Sequence, residues 1–222
     1  MRETMSKTNS LISVLFLLSL SMLAANNAVA EEYHEGFEYF SLSTPQKTVA
    51  EKGTIEVVEL FWYGCQHCYR FEPVLSKWLK AGPKNVTFVR VPAIFPGWPG
   101  AEVHARAYYT AVALKVVNKV HQPLFDKIQK IKPKVITQAQ IKAIFVKQGV
   151  KADDFDKTYM SASVQKMIDG AKVLAKGYEA SSVPMMIVGG KYKADAGLVD
   201  GSFEKLLVLV EYLVKKEMGT TK

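Results

Sequence analysis

Apolar positions recur along this chain with two periods, one of strands and one of helices. Ile55 to Tyr63 reads Ile-Glu-Val-Val-Glu-Leu-Phe-Trp-Tyr. So β-branched and aromatic a run predicts a central strand buried on both faces. Tyr39 to Leu42 is a shorter strand before it, and Gly64 ends the longer one. Cys68, Phe71, Val74, Leu75, Trp78 and Leu79 then recur at helical spacing, with Pro73 inside the pattern as an expected kink. Ala81-Gly82-Pro83 stops that helix, and Val86 to Val91 is a third strand closed by Pro92. After a loop carrying Pro96, Gly97, Pro99 and Gly100, the chain is helical in period from about Ala101 to Tyr178. Breaks are expected near Gln122-Pro123, Lys132-Pro133 and Gly149. Stripes such as Val103-Ala107-Ala111-Leu114 and Val164-Met167-Ile168-Ala171-Leu174-Ala175 face a core by default. Strand returns at Val183 to Val188, and Gly189-Gly190 signals a hairpin into Lys191 to Ala194. A last helix carries Phe203, Leu206, Leu207, Val210 and Leu213, with Ser202 as its cap. The order is β, β, α, β, a helical block, then β, β, α, without internal repeats.

The first thirty residues read differently. Arg2 and Lys7 precede an apolar run, Leu11 to Ala25, and Ala28-Val29-Ala30 has small residues at cleavage spacing. This is the pattern of a secretory signal peptide. The run falls short of the roughly 20 residues that a spanning helix needs. No cysteine lies near the cut, which argues against a lipid anchor. The expected mature chain starts at Glu31 and is soluble outside the cytosol.

Composition adds little to this. With 49% hydrophobic and 23% charged residues the chain is neither disordered nor multi-span membrane material. Lys plus Arg number 29 against 21 Asp plus Glu, a net +8. The lysines are scattered and export argues against nucleic acid, so the excess reads as a solvated surface, with weak attraction to anionic membranes at most.

Cysteine is informative. The chain has two, both in Cys65-Gln66-His67-Cys68, at the junction of a buried strand and a helix. The first turn of a helix presents unpaired N–H groups and a partial positive charge. A sulfur there is stabilised as thiolate. Cys65 is thus the expected exposed nucleophile. Cys68, three residues on, turns inward as the resolving thiol. His67 adds positive charge or a hydrogen bond to the Cys65 thiolate. Half a zinc site is the competing reading, but zinc needs about four ligands. His34, His104 and His121 show no paired ligand spacing. A structural disulfide closing so small a loop would constrain the unfolded chain little. A thiol–disulfide redox motif fits the strand–CxxC–helix context best, and no metal is called for.

The run Glu59-Leu60-Phe61-Trp62-Tyr63-Gly64-Cys65-Gln66-His67-Cys68-Tyr69-Arg70-Phe71-Glu72 resembles the active-site segment of the DsbA family of periplasmic dithiol oxidases. Ser182-Val183-Pro184-Met185-Met186-Ile187-Val188-Gly189-Gly190-Lys191-Tyr192 resembles that family's Val–cis-Pro loop and hairpin. The resemblance spans essentially all of 33–217. It implies an α/β chain of thioredoxin fold with an inserted helical domain: a signal peptide over 1–30, a thioredoxin-like domain from 31–97 and 179–222, and the insertion over 98–178. It implies transfer of the Cys65–Cys68 disulfide to reduced exported proteins in the periplasm, without a cofactor. A DsbB-like, quinone-linked membrane protein would reoxidise the pair. A monomer is the default expectation.

The resemblance also assigns residues. Cys65, Cys68, His67 and Glu59 are the expected catalytic set, with Glu59 a buried proton relay for Cys68. Desolvation should raise its pKa, and Arg90 is the candidate to compensate its charge. Val183, Pro184 and Gln66 are expected to meet substrate, Val183 by adding an extended peptide as a strand. Gln66 is a departure, since the family usually has Pro there; the dipeptide between the cysteines tunes thiolate stability. Trp62 and Gly64 are expected to alter the shape of the groove. A disulfide isomerase or reductase of the same fold, and a non-enzymatic binding or chaperone module, are the alternatives.

Overall fold

The structure, a computed structural model, describes residues 33–132, 134 and 136–219; the expected signal peptide lies outside them. Five strands and seven α-helices follow one another in this part. β1 is Phe40–Ser41, β2 Ile55–Phe61, α1 Gln66–Lys80 and β3 Val86–Pro92. A helical block follows, with α2 Ala101–Ala113, α3 Val117–Gln129, α4 Gln138–Lys147, α5 Ala152–Tyr159 and α6 Ala162–Gly177. β4 Met185–Val188, β5 Tyr192–Ala194 and α7 Phe203–Glu217 complete the chain. The sheet order is β1-β5-β4-β2-β3, with β2 parallel to β3 and antiparallel to β4. This is the thioredoxin fold with helices inserted between β3 and β4. No described helix is long and apolar enough to cross a membrane.

Period-2 alternation in β2 divides the core. Val57 packs with Phe71 and Leu75 of α1 and Leu206, Leu209, Val210 and Leu213 of α7. Val58 and Leu60 pack on the opposite face with Ala105, Tyr108 and Ala111 of α2 and Ile168 of α6. β4 repeats this, Met186 and Val188 siding with Val57, Ile187 with Val58. β2 is therefore buried on both faces, as its composition predicts. Each such Leu, Ile or Val contributes roughly 1.5–3 kcal/mol by leaving water. Glu59 occupies the Val57 side; it and Glu56, on the Val58 side, are the two buried polar residues of β2, and Glu59 is the more deeply enclosed.

Two boundaries differ from the sequence expectation. α3 runs through Pro123; the break lies instead at Leu114–Val116. There Val116 N–H reaches Ala111 C=O and Lys115 N–H reaches Val112 C=O, a Schellman turn with Lys115 at φ 56°. The usual glycine signal is missing at that turn, while Pro123, despite its missing donor and the crowding of its ring, stays inside the helix. α1 holds Pro73 in its interior and runs on to Lys80, where Ala81-Gly82-Pro83 is expected to stop it. A further break at Met160–Ser161 opens α6, where Ser161 accepts from Val164 N–H as an N-cap. At Gly149 the expected break is present. Ser202 caps α7 by accepting from Lys205 N–H at 3.2 Å.

Candidate active site

Strand β2 delivers its C-terminal end to the first turn of α1, and Cys65 is the N-cap residue, with extended backbone (φ −81°, ψ 121°). Its sulfur accepts from Cys68 N–H at 3.4 Å and lies 3.4 Å from Val183 C=O, to which the thiol donates. Both cysteines are free thiols, the reduced form of the pair. They differ sharply in environment. Cys65 is half-buried; Cys68 is fully buried on the inward face of α1. The Cys65 pKa falls from 9.0 to about 6. A hydrogen bond from the Cys68 thiol is the largest cause, burial opposes it, and the N–H groups of Cys68 and His67 add to it. The His67 ring charge contributes least of these, and the side chain is exposed. Burial drives the Cys68 thiol well above its ordinary value, and the neighbouring Cys65 and Glu59 push the same way. The pair thus separates into an acidic, reachable sulfur and a basic, enclosed one.

The Val183–Pro184 peptide is cis. Pro184 is buried, Val183 half-buried, and Gln66 is exposed at the start of α1. Val183 thus meets Cys65 through its carbonyl, and Gln66 follows Cys65 in the chain.

Glu59 stands in register with Arg90 on the neighbouring parallel strand. Side chains of register partners share a face, so the two meet: Arg90 Nε donates to Glu59 Oε2 at 2.9 Å. Glu59 is fully buried, and its other oxygen, Oε1, has no hydrogen-bond partner among the described residues. Desolvation raises its pKa from 4.5 to about 7 against the pull of Arg90. Arg90 also donates through Nη2 to both oxygens of Glu72, at 2.9 and 3.1 Å. Glu72 is buried yet well solvated by protein: Ser76 Oγ donates to it at 2.9 Å and His121 Nε2 lies 3.3 Å away. Burial pushes Glu72 up, but His121, Arg90 and Ser76 together outweigh it and its pKa falls below 4.5. Tyr63 Oη is 2.7 Å from His121 Nδ1.

Sequence reading missed Glu72, His121 and Tyr63. One signal was available for Glu72: it follows Cys68 by four residues on the apolar stripe that Phe71 and Leu75 extend, so a carboxylate faces the core. His121 and Tyr63 come from segments 58 residues apart and carry no local signal. Of the other histidines considered as ligands, His34 is exposed and His104 is buried beneath Trp62, their ring centroids 6.0 Å apart. The Trp62 indole also packs against Trp98, tilted by 35° with ring centroids 4.6 Å apart, and covers Gly64, where any Cβ would overlap the ring. Backbone ties from α3 and the following loop hold this turn. Gln129 Nε2 donates to Tyr63 C=O at 2.6 Å, and Lys134 Nζ to Gly64 C=O at 3.1 Å.

Residues 56–205 match the DSBA-like thioredoxin domain family. The chain is 39% identical to the thiol:disulfide interchange protein DsbA of Pseudomonas aeruginosa over 207 residues, 93% of this chain and 96% of that protein. It is 42% identical to that of Azotobacter vinelandii over 183 residues, covering 82% and 83% of the two. The crystal structure of Pseudomonas aeruginosa DsbA superposes with a TM-score of 0.77 at 39% identity, covering 86% of this chain and 97% of that one. A Proteus mirabilis DsbA cysteine-to-serine variant, solved with a non-covalently bound peptide, gives 0.68 at 28% identity over 82% and 98%.

Proposed function

The chain belongs to the DSBA-like thioredoxin family and is a thiol–disulfide oxidoreductase, and from that premise we propose that it donates its Cys65–Cys68 disulfide to reduced exported proteins. The asymmetry of the two sulfurs carries the reading. A substrate thiolate attacks Cys65 Sγ, the reachable atom. The Cys65–Cys68 bond breaks, and its electron pair leaves on Cys68, which takes up a proton. A second substrate thiolate then attacks the substrate sulfur of the mixed disulfide and expels Cys65 as thiolate. The substrate has lost two electrons, and the enzyme holds them as two reduced sulfurs. The low Cys65 pKa makes this sulfur a good leaving group and stabilises the reduced state. Each pKa unit is about 1.4 kcal/mol, or about 30 mV for a two-electron couple. The fall from 9.0 to about 6 therefore favours oxidation of substrate by about 30 mV at pH 7, growing to roughly 90 mV above pH 9.

The other roles follow. Glu59, titrating near neutrality beside a strongly basic Cys68, supplies and recovers the Cys68 proton. His67 assists Cys65 weakly, through its charge. Val183, Pro184 and Gln66 border the substrate, the Val183 backbone pairing with an extended peptide; that a Proteus mirabilis relative holds a non-covalently bound peptide supports a peptide as the ligand class. The thioredoxin-like domain comprises 31–97 and 179–222, the inserted domain 98–178. Export through the leader at 1–30 places the mature monomer in the periplasm, where a DsbB-like quinone-linked membrane protein reoxidises it.

Incubating the oxidised protein with a reduced, unfolded protein and measuring its reduction potential tests this. Stoichiometric loss of substrate thiols and a potential well above thioredoxin's are expected. A potential near thioredoxin's would replace the oxidase with a reductase or isomerase, and no exchange at all would leave only a binding or chaperone module.

A further inference from the structure

Two buried carboxylates share one guanidinium at the heart of this molecule. Arg90 cannot give up its proton in a protein, so the Glu59–Arg90–Glu72 system carries one negative charge when both carboxylates are ionised and none when one is protonated. Which carboxylate takes the proton matters. Glu59 is enclosed on the Cys68 side, whereas Glu72, Arg90 and His121 line a solvent-open cavity of about 520 Å³ with Ser76, Lys80 and Gln122. The donors are distributed unequally. Glu72 receives Arg90 twice, Ser76 and His121. Glu59 receives Arg90 Nε alone, with Oε1 unpartnered.

The hydrogen positions on His121 follow by elimination. The groups facing it are Tyr63 from the end of β2, Glu72 from α1, Arg90 from β3 and Tyr108 from α2, with Phe61 and Phe125 rings against it. Burial and the Arg90 charge disfavour an imidazolium, and the His121 pKa is lowered despite Glu72. An ionised Glu72 only accepts, so Nε2 carries the hydrogen and Nδ1 accepts from the Tyr63 hydroxyl. Tyr63 stays protonated because burial drives its pKa well up.

We propose that His121, held as the Nε2–H tautomer by Tyr63, is a positioning residue that places the shared proton on Glu59, beside Cys68, and keeps it off Glu72. Its donated hydrogen bond stabilises ionised Glu72, which leaves the carboxylate with the unpartnered oxygen as the proton's seat. This extends the reading of Glu59 as proton relay and rests on it; the placement itself is measured without reference to turnover.

The experiment is a carbon-13 titration of the Glu59 and Glu72 carboxyls in the reduced full chain, in wild type, His121→Leu and His121→Gln. His121→Leu should lower the Glu59 midpoint and raise the Glu72 midpoint, each by about one pH unit, a tenfold change in proton population. His121→Gln, which keeps a donor, should restore part of both shifts. A purely structural role would lower the melting temperature and leave both midpoints in place, which would overturn the proposal. Should His121→Leu not fold, nitrogen-15 spectra of wild-type His121 decide. A neutral Nε2–H ring near neutral pH supports the proposal; the Nδ1–H tautomer or an imidazolium overturns it. If the Glu59 midpoint moves but the pH profile of thiol exchange does not follow it, the placement stands and the relay reading falls.

Discussion

Replacing Glu59 with Gln should change how stability depends on pH, in a direction fixed by its burial. In the folded protein desolvation raises the Glu59 pKa from 4.5 to about 7, while in the unfolded chain it returns to the ordinary value. Between those values the folded state binds more protons than the unfolded one, so this group makes stability fall as pH rises. The loss begins near pH 4.5 and is complete above pH 7. At about 1.4 kcal/mol per unit it amounts to about 3 kcal/mol. Gln is isosteric and neutral, its carbonyl can accept from Arg90 Nε, and Arg90 keeps Glu72. Urea unfolding of reduced wild type and Glu59→Gln at pH 4.5, 6 and 8 reads the difference. The variant should gain about 3 kcal/mol on wild type between the extremes. Parallel curves would show that Glu59 is not held as a high-pKa buried acid, and the proton-relay role would fall with it.

Other perturbations probe separate parts of the account. Cys68→Ala removes the largest cause of the low Cys65 pKa, so thiolate absorbance of the variant should titrate clearly above about 6, toward the 9.0 of an ordinary cysteine. An unchanged midpoint would put the cause elsewhere. Gly64→Ala would drive a methyl group into the Trp62 ring. A loss of about 1–3 kcal/mol is expected from such overpacking, read by thermal unfolding, together with altered tryptophan fluorescence as the ring leaves Trp98. Ser202→Ala deletes the cap of α7 and should cost about 1 kcal/mol in urea unfolding, without affecting the Cys65 titration.

What could be read in the sequence was local. β2 announced itself by composition, and the CxxC motif lay at a strand–helix junction where helix-end physics acts on whatever side chain is there. The acidity of Cys65 and the enclosure of Cys68 follow from that one position. Glycine-marked turns such as Gly149 were equally legible. The Schellman turns at Lys115 and Glu179 were not, because ordinary residues occupy the left-handed position there (φ 56° and 52°). The charge system was legible only at its first pair. Arg90 is the candidate partner of Glu59 by charge, but it is strand register, which the sequence does not print, that brings them together. Glu72, His121 and Tyr63 join through packing of α1 and α3, a tertiary fact without a sequence period. His67 acts on Cys65 in the expected direction, lowering its pKa. Its exposed ring does less for Cys65 than the Cys68 thiol and the amides of the first turn.

The acidity of one sulfur drives the proposed chemistry, and it can be measured alone. Thiolate absorbance of the reduced full chain, followed against pH with Cys65 alkylation as the assignment, should show Cys65 ionising near pH 6 and Cys68 remaining protonated far above it. Ionisation of Cys65 near pH 9, together with Cys68, would remove the driving force for disulfide donation and contradict the account.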